Sequence, residues 1–261
     1  MKKGGERMLL ALDVGNTNIV VGVFENEALR ASWRLSTDRR RTADELAVFL
    51  KHFFSATGFV FSDVDRVIIS SVVPPLSTAL KEMSERYFSV KPLIVGPGVK
   101  TGLNLKLDAP REVGADRIVN AVAALRLYGP PLIVIDFGTA TTFCQVDEAG
   151  DYRGGVIAPG VAISMEALYQ NAAKLPKVEI APPPSVVGRN TVEAMQSGLF
   201  YGYIGLIEGM IERMKRLYKK PPKVVATGGL GRLFAEATPL IDVYEPDLTL
   251  YGLNWIAQLN A

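Results

Sequence analysis

Two stretches of the chain carry the same order of apolar and polar positions. Residues 9–24, LLALDVGNTNIVVGVF, are an apolar run, a short polar break and a second β-rich run, and residues 131–146, PLIVIDFGTATTFCQV, repeat it. Each first run ends in Asp-x-Gly, at Asp13–Gly15 and Asp136–Gly138, so each stretch predicts a strand–turn–strand hairpin. A second pair follows the first. RVIISSVVPP (66–75) and KVVATGGLGR (223–232) each read as an apolar strand running into a Gly- or Pro-rich turn and then a helix. The same order of elements in both halves predicts two related α/β domains, residues 8–128 and 129–261.

Helical periodicity fills the gaps. Thr42 and Glu45 have the spacing of a capping box ahead of Leu46, Phe49, Leu50 and Phe53, with Gly58 as the stop. Leu80, Met83 and Tyr87 predict a helix after Pro74-Pro75, and Ile118, Val119, Val122 and Leu125 one that ends at Gly129-Pro130-Pro131, the expected hinge between halves. Residues 191–218 predict a long helix with Gly198, Gly202, Gly205 and Gly209 on one face. Each glycine costs about 1 kcal/mol of helix propensity, so a close neighbour is expected there. Either the domain's own sheet or a helix of a second subunit would serve. Ala181 to Pro184 reads as an extended loop inside the second half.

Composition adds mainly exclusions. At 48% hydrophobic and 21% charged residues the chain is ordinary for a globular protein, and no run reaches the ~18 apolar residues of a membrane span. The basic start has no small-residue cleavage site after it, so no signal peptide is expected. The single cysteine, Cys144, leaves no disulfide framework or Cys-rich zinc site and fits a reducing cytoplasm. Lys2, Lys3 and Arg7 against Glu6 account for the net charge of +2, and the native start is expected at Met1 or Met8. The body is charge-balanced and lacks the basic surplus of a nucleic-acid binder. Arg39-Arg40-Arg41 reads as the solvated approach to a helix.

The loops hold the candidate chemistry. In Asp13-Val14-Gly15-Asn16-Thr17-Asn18 the glycine lets backbone amides approach an anion, and Asn16 and Thr17 add side-chain donors. Asp13 would repel a phosphate and must act through Mg²⁺ or a metal-bound water. A capped hairpin turn uses the same residues and is the simpler alternative. Asp136-Phe137-Gly138-Thr139 repeats the arrangement, and Thr227-Gly228-Gly229-Leu230-Gly231 gives a third glycine turn after a buried strand. No Walker lysine loop and no GxGxxG opening a helix occurs. Three such loops in this order predict an actin-like nucleotide cleft between the halves.

The motifs DVGNTN, GADRIVNA, IDFGTATTF, GGVIAPG, VVGRNTVEAMQSG and ATGGLG, in this order from Met8 onward, resemble type III pantothenate kinase. That family belongs to the acetate/sugar kinase–chaperone–actin superfamily. The resemblance implies duplicated actin-like (ribonuclease H-like) α/β domains, transfer of the γ-phosphoryl of ATP to the primary hydroxyl of pantothenate, and opening of coenzyme A synthesis. It implies an ATP-phosphate loop over Asp13, Val14, Gly15, Asn16, Thr17, Asn18, Ile19 and Val20, with Thr139 as a further ATP contact. Pantothenate would meet Gly114, Ala115, Asp116 and Arg117, with Asp116 the general base. Asp136 would hold a monovalent cation, K⁺ or NH₄⁺, beside the Mg²⁺ requirement. Thr191 would complete the substrate site from the other subunit of a homodimer. Many relatives carry tyrosine seven residues before the GADR glycine, where this chain has Leu107, so one substrate-lining contact differs.

Read without the family, Asp116 stands in the first turn of a helix, where the dipole favours its charge, and capping alone would account for it. Phosphoryl transfer asks mainly for positioning and charge neutralisation, with a carboxylate to take the hydroxyl proton late. Arg117 could grip a carboxylate through two parallel bonds or form a surface ion pair. His52, Cys144, Trp33 and Trp255 read as structural. Three other activities stay open: a kinase of the same fold with another small hydroxylated substrate, a nucleotide-binding accessory factor for transcription, and, with little room for its insertions, a chaperone or filament ATPase.

Overall fold

The computed structural model describes residues 8–261; the expectations attached to Lys2, Lys3, Glu6 and Arg7, and to a start at Met1, lie outside them. The first hairpin forms as read, with β1 (Met8–Val14) antiparallel to β2 (Asn18–Glu25), and β3 (Ala28–Ser36) extends the meander. Then come α1 (Ala43–Thr57), β4 (Val64–Ser71), α2 (Pro74–Met83), β5 (Leu93–Ile94) and α3 (Ala115–Tyr128). The second half repeats the order with β6 (Leu132–Phe137), β7 (Ala140–Val146), β8 (Tyr152–Pro159), α4 (Val161–Asn171), α5 (Thr191–Lys215), β9 (Lys223–Thr227), α6 (Gly231–Ala235), β10 (Val243–Tyr244) and α7 (Leu248–Leu259). The sheets run β3-β2-β1-β4-β5 and β8-β7-β6-β9-β10. In each, the central strand pairs antiparallel on one side and parallel on the other. Equal order and equal strand sense make these duplicated actin-like α/β units.

Local rules account for the helix ends. Thr42 Oγ1 accepts from the Glu45 amide at 3.3 Å while Glu45 Oε2 accepts from the Thr42 amide at 2.7 Å, and Gly58 closes α1 at φ 79°. Pro74 and Pro75 occupy the first turn of α2, where no amide partner is required. The helix expected over 191–218 stops at Lys215. There the chain tightens so that the Tyr218 hydroxyl reaches the Leu132 carbonyl at 2.6 Å.

The compact units do not follow the chain as the two uninterrupted halves 8–128 and 129–261. Among the described residues one comprises 8–103, Ala109–Ala123 and Leu248–Ala261; the other comprises Asn104–Asp108 and Ala124–Asp247. The difference arises because α7 packs in the first unit. A Cβ at Gly22 of β2 would lie 2.9 Å from Leu250, and one at Gly252 only 2.2 Å from the Val119 carbonyl oxygen of α3. On the opposite face of that sheet, Leu10, Leu12, Val21 and Ile69 pack with Leu46, Leu50 and Phe54 of α1 and with Leu76 and Leu80 of α2. In the second unit Ile133, Ile135 and Phe143 pack beneath Leu199, Tyr203, Ile207 and Ile211 of α5.

That sheet-facing row excludes the glycines of α5. A Cβ at Gly198, Gly202 or Gly205 would meet nothing within 4 Å, so the chain's own sheet does not use the stripe. Trp33 stacks on Phe53 at 5.3 Å and Trp255 on Tyr251 at 6.1 Å, Cys144 is buried, and His52 is exposed on α1 rather than set among its apolar positions.

The contact between α7 and α3 makes a clear demand. Gly252→Ala should lower unfolding free energy by about 1–3 kcal/mol, the usual range for overpacking. Gly96→Ala, whose Cβ would meet nothing within 4 Å, should stay within about 0.5 kcal/mol of the parent. Equal denaturant midpoints for the two variants would contradict the close crossing.

Candidate active site

In the first unit β1 delivers Asp13 to its penultimate position, and the turn closes with the Gly15 amide donating to the Asn18 carbonyl at 2.9 Å. Asn16 and Thr17 are exposed at its tip, whereas the Val14 and Ile19 side chains lie in the core. Those two positions of the predicted loop therefore offer only backbone groups. Asp13 is half-buried, and its ladder neighbour on β4 is Ser70. The Ser70 side chain is fully buried and its hydroxyl has no protein partner. A buried orphan hydroxyl is costly, and this one stands where the carboxylate chemistry is expected.

Gly114–Arg117 opens α3 in the same unit. The Asp116 carboxylate sits at the positive end of the helix, with Oδ1 accepting from the Arg117 amide at 2.8 Å. A Cβ at Gly114 would lie 2.5 Å from that Oδ1, so the carboxylate occupies the space beside the GADR glycine. Asp116 and Arg117 are both half-buried.

The second unit brings its own candidates together. Asp136 is penultimate in β6 and has Thr227 of β9 as its ladder neighbour, the counterpart of Asp13 and Ser70. Gly228 follows at φ 93°, and a Cβ there would lie 2.6 Å from Asp136 Oδ1 and from the Phe137 amide nitrogen. The second and third loops thus meet at the Asp136 carboxylate. Thr139 caps the turn, its carbonyl accepting from the Gly160 amide at 3.1 Å; a Cβ at Gly160 would be 2.3 Å from that oxygen. The GGVIAPG glycine is the packing partner of the Thr139 turn. Beneath it, the Tyr203 hydroxyl joins the buried Thr141 Oγ1 (2.6 Å) and the Pro159 carbonyl (2.8 Å). Burial raises the phenol's pKa, keeping it a neutral donor.

Thr191 begins α5, whose N-cap Asn190 accepts from the Glu193 amide at 2.9 Å. It is exposed on the rim of an apolar hollow of about 550 Å³, which Leu168, Leu175, Met195 and Leu199 also line. Leu107 packs near β8, with Cδ2 3.3 Å from where a Gly154 Cβ would be. Among the described residues no cluster of three or more His, Cys, Asp and Glu forms a metal centre, and no helix is long and apolar enough to cross a membrane.

Sequence reasoning missed Ser70 and, although Thr227 opens the third glycine turn, its pairing with Asp136. The signal was present, since aligning RVIIS with KVVAT superimposes a hydroxyl residue on the same strand end. It also missed the environment of Arg39-Arg40-Arg41, which is not a uniformly solvated run: Arg39 Nη2 donates to Asn16 Oδ1 at 3.3 Å, and Arg41 is half-buried with its guanidinium over Phe49.

Removing the Tyr203 hydroxyl tests the support under the second loop. Tyr203→Phe should cost about 1–3 kcal/mol by leaving Thr141 and Pro159 short of a buried partner. A denaturation midpoint unchanged from the parent would show that the hydroxyl carries no such burden.

Residues 9–213 match the family model for type III pantothenate kinase. Solved structures of the same fold include a protein from Campylobacter jejuni described as a Baf family transcriptional activator, 20% identical over 96% of this chain and 98% of that one, with a TM-score of 0.60. A protein from Sinorhizobium meliloti described as a 2-dehydro-3-deoxygalactonokinase is 15% identical over 96% of each chain, TM-score 0.57. Component A of (R)-2-hydroxyglutaryl-CoA dehydratase from Acidaminococcus fermentans is 14% identical over 97% of each, TM-score 0.56. At these identities the likeness is one of fold.

Proposed function

Since the chain belongs to the type III pantothenate kinase family, we propose that it phosphorylates the primary hydroxyl of pantothenate with ATP, the opening step of coenzyme A synthesis. The observation that carries this reading is Asp116 at the head of α3, seated against a glycine and fixed through Oδ1, in the same unit as the Asp13 loop. Oδ1 is held by the Arg117 amide, and Oδ2 accepts the proton of the attacking hydroxyl. Loss of such a base typically costs about 10²–10⁴ in rate. Arg117 provides the guanidinium for the carboxylate of pantothenate, and Gly114 and Ala115 give that substrate a side-chain-poor approach.

Phosphate contacts fall to the amides and side chains of Asp13 to Val20, chiefly Gly15, Asn16, Thr17 and Asn18, and the family likeness makes Thr139 a further ATP contact. Mg²⁺ fits the end of β1, because it asks for only one or two carboxylates beside water and phosphate oxygens. The orphan Ser70 hydroxyl beside Asp13 gives a metal-bound water a partner. Asp13 would hold that ion through water, and the ion would neutralise charge on the β- and γ-phosphates. A monovalent cation fits Asp136, whose carboxylate lies in a cradle that a Cβ on Gly228 would fill. The exposed glycine stripe of α5 supports a homodimer. It offers a second copy a helix face on which backbones can cross closely, near Thr191, which we assign to the shared substrate site. Leu107, which packs against Gly154 and stands where many relatives carry tyrosine, favours one second reading: a kinase of this fold for another small hydroxylated acceptor.

ATP turnover with pantothenate, and with a panel of hydroxy acids and sugars, in K⁺, NH₄⁺ and Na⁺ buffers, tests the reading. Pantothenate-dependent ADP release that is greater in K⁺ or NH₄⁺ supports it, and release with another acceptor alone overturns the substrate. Asp116→Asn should retain ATP binding while kcat falls about 10²–10⁴-fold; a rate within a few-fold of the parent would return Asp116 to a capping role.

The dimer has a separate test. Gly205→Leu places a good helix former in open space, so the folded chain should keep its helical signal while sedimentation shifts from dimer to monomer. A parent protein that sediments as a monomer overturns this assignment.

A further inference from the structure

The phosphate loop proposed above has no cationic side chain of its own, since Asp13 to Val20 contains neither lysine nor arginine. It ends a strand that carries a carboxylate, and a triphosphate brought to it would need positive charge from elsewhere. The segment leading from β3 to α1 lies along the loop. The Thr37 amide donates to the Thr17 carbonyl at 2.9 Å and Thr37 Oγ1 donates to the Gly15 carbonyl at 2.7 Å. The capping box at Thr42 and Glu45 fixes the other end of the segment.

The three arginines on this segment are not equivalent. Arg40 is neutralised by Asp38, with Nε and Nη2 each 3.3 Å from its carboxylate oxygens. Arg41 is turned inward, over the Phe49 ring at 4.7 Å and toward Ser36 Oγ at 3.4 Å. Arg39 is exposed and hydrogen-bonds the neutral amide of Asn16, at the tip of the loop. Among the described residues no carboxylate forms an ion pair with it. A guanidinium held by one donor on a neutral acceptor keeps its charge and its remaining N–H groups for the oxygens of a phosphate.

We infer that Arg39 binds the terminal phosphates of ATP at the first loop, positioned there by Asn16 and by the Thr37 bonds. The inference rests on the nucleotide reading of this loop but does not depend on which acceptor is phosphorylated. Asn16 then has a double role, presenting its own amide group to the phosphates and aiming the arginine.

Binding of Mg-ATP, Mg-ADP, AMP and adenosine by calorimetry, with KM measurements for ATP and pantothenate, tests it in the full-length protein. Arg39→Gln keeps a donor for Asn16 but removes the charge. It should weaken ATP binding about 10- to 100-fold, as expected for a charge-assisted phosphate contact, with a smaller loss for ADP and almost none for AMP or adenosine. The KM for ATP should rise while that for pantothenate holds. Arg39→Lys should recover part of the loss, and Arg40→Gln should stay within about twofold because that charge is already paired. Equal losses for ATP and adenosine would mean that the variant merely loosens the loop and would overturn the inference, as would an ATP affinity within twofold of the parent. If the parent binds ATP with this dependence on Arg39 but does not phosphorylate pantothenate, the proposed substrate falls and Arg39 stands. If it turns over pantothenate while Arg39→Gln is silent, the reverse holds. A parent that binds no nucleotide removes both.

Discussion

One strand in each sheet has unlike neighbours, antiparallel on one side and parallel on the other, and the rest of the molecule is arranged around that asymmetry. At the carboxyl end of β1 or β6 the chain must reverse tightly toward the hairpin partner, while the parallel partner ends at the same edge. Connections therefore diverge there and leave room for a ligand, as they do at the switch points of open α/β sheets. An aspartate placed one residue before each strand end is too close to the edge to be fully desolvated and too far in to be free of the ladder. Its neighbour across the parallel pair is a hydroxyl residue both times, Ser70 or Thr227. The duplicated geometry, more than any single residue, explains why polar chemistry collects at these ends while the strand interiors remain apolar.

Glycine serves two opposed purposes in this framework. At positions 114, 160, 228 and 252 the space for a side chain is already occupied by a carboxylate, a turn or another helix's backbone. In these cases glycine records a contact already made inside the chain. On α5 the same residue type faces open space at 198, 202 and 205. There the propensity cost is not offset by any intramolecular contact. An identical letter in the sequence thus marks a filled contact in one place and an unfilled one in the other.

Much of the architecture was legible because it depends on near neighbours in sequence. Both Asp-x-Gly hairpins, the Thr42–Glu45 capping box, the Gly58 stop and the Pro-initiated α2 all follow from residues within a few positions of one another. The features that escaped depend on distant partners. Helix α7 is apolar on most of its circumference, with Leu248, Leu250, Leu253 and Ile256 all buried, so its periodicity could not say which sheet it covers. The role of Arg39 hangs on a bond to a residue far earlier in the chain. The orientation of the α5 stripe was decided by which side Leu199, Tyr203 and Ile207 turned to the sheet, a choice between two faces of similar size. Within the site, the loops and the GADR segment stood out, whereas the pairing of Ser70 with Asp13 and of Thr227 with Asp136 became visible only through strand register.

The placement of α7 also sets an order of events during synthesis. The Gly22 and Phe24 face of the first sheet is covered by Leu250 and Tyr251, yet these residues are made after the whole of the second sheet. At the usual ribosomal pace of about 5–20 residues per second, roughly 8–30 seconds separate the emergence of β5 from that of α7. During that interval the earlier unit has its α1–α2 side available for packing and its other side still without α7. The part of the chain that is translated first is therefore the part that is finished last.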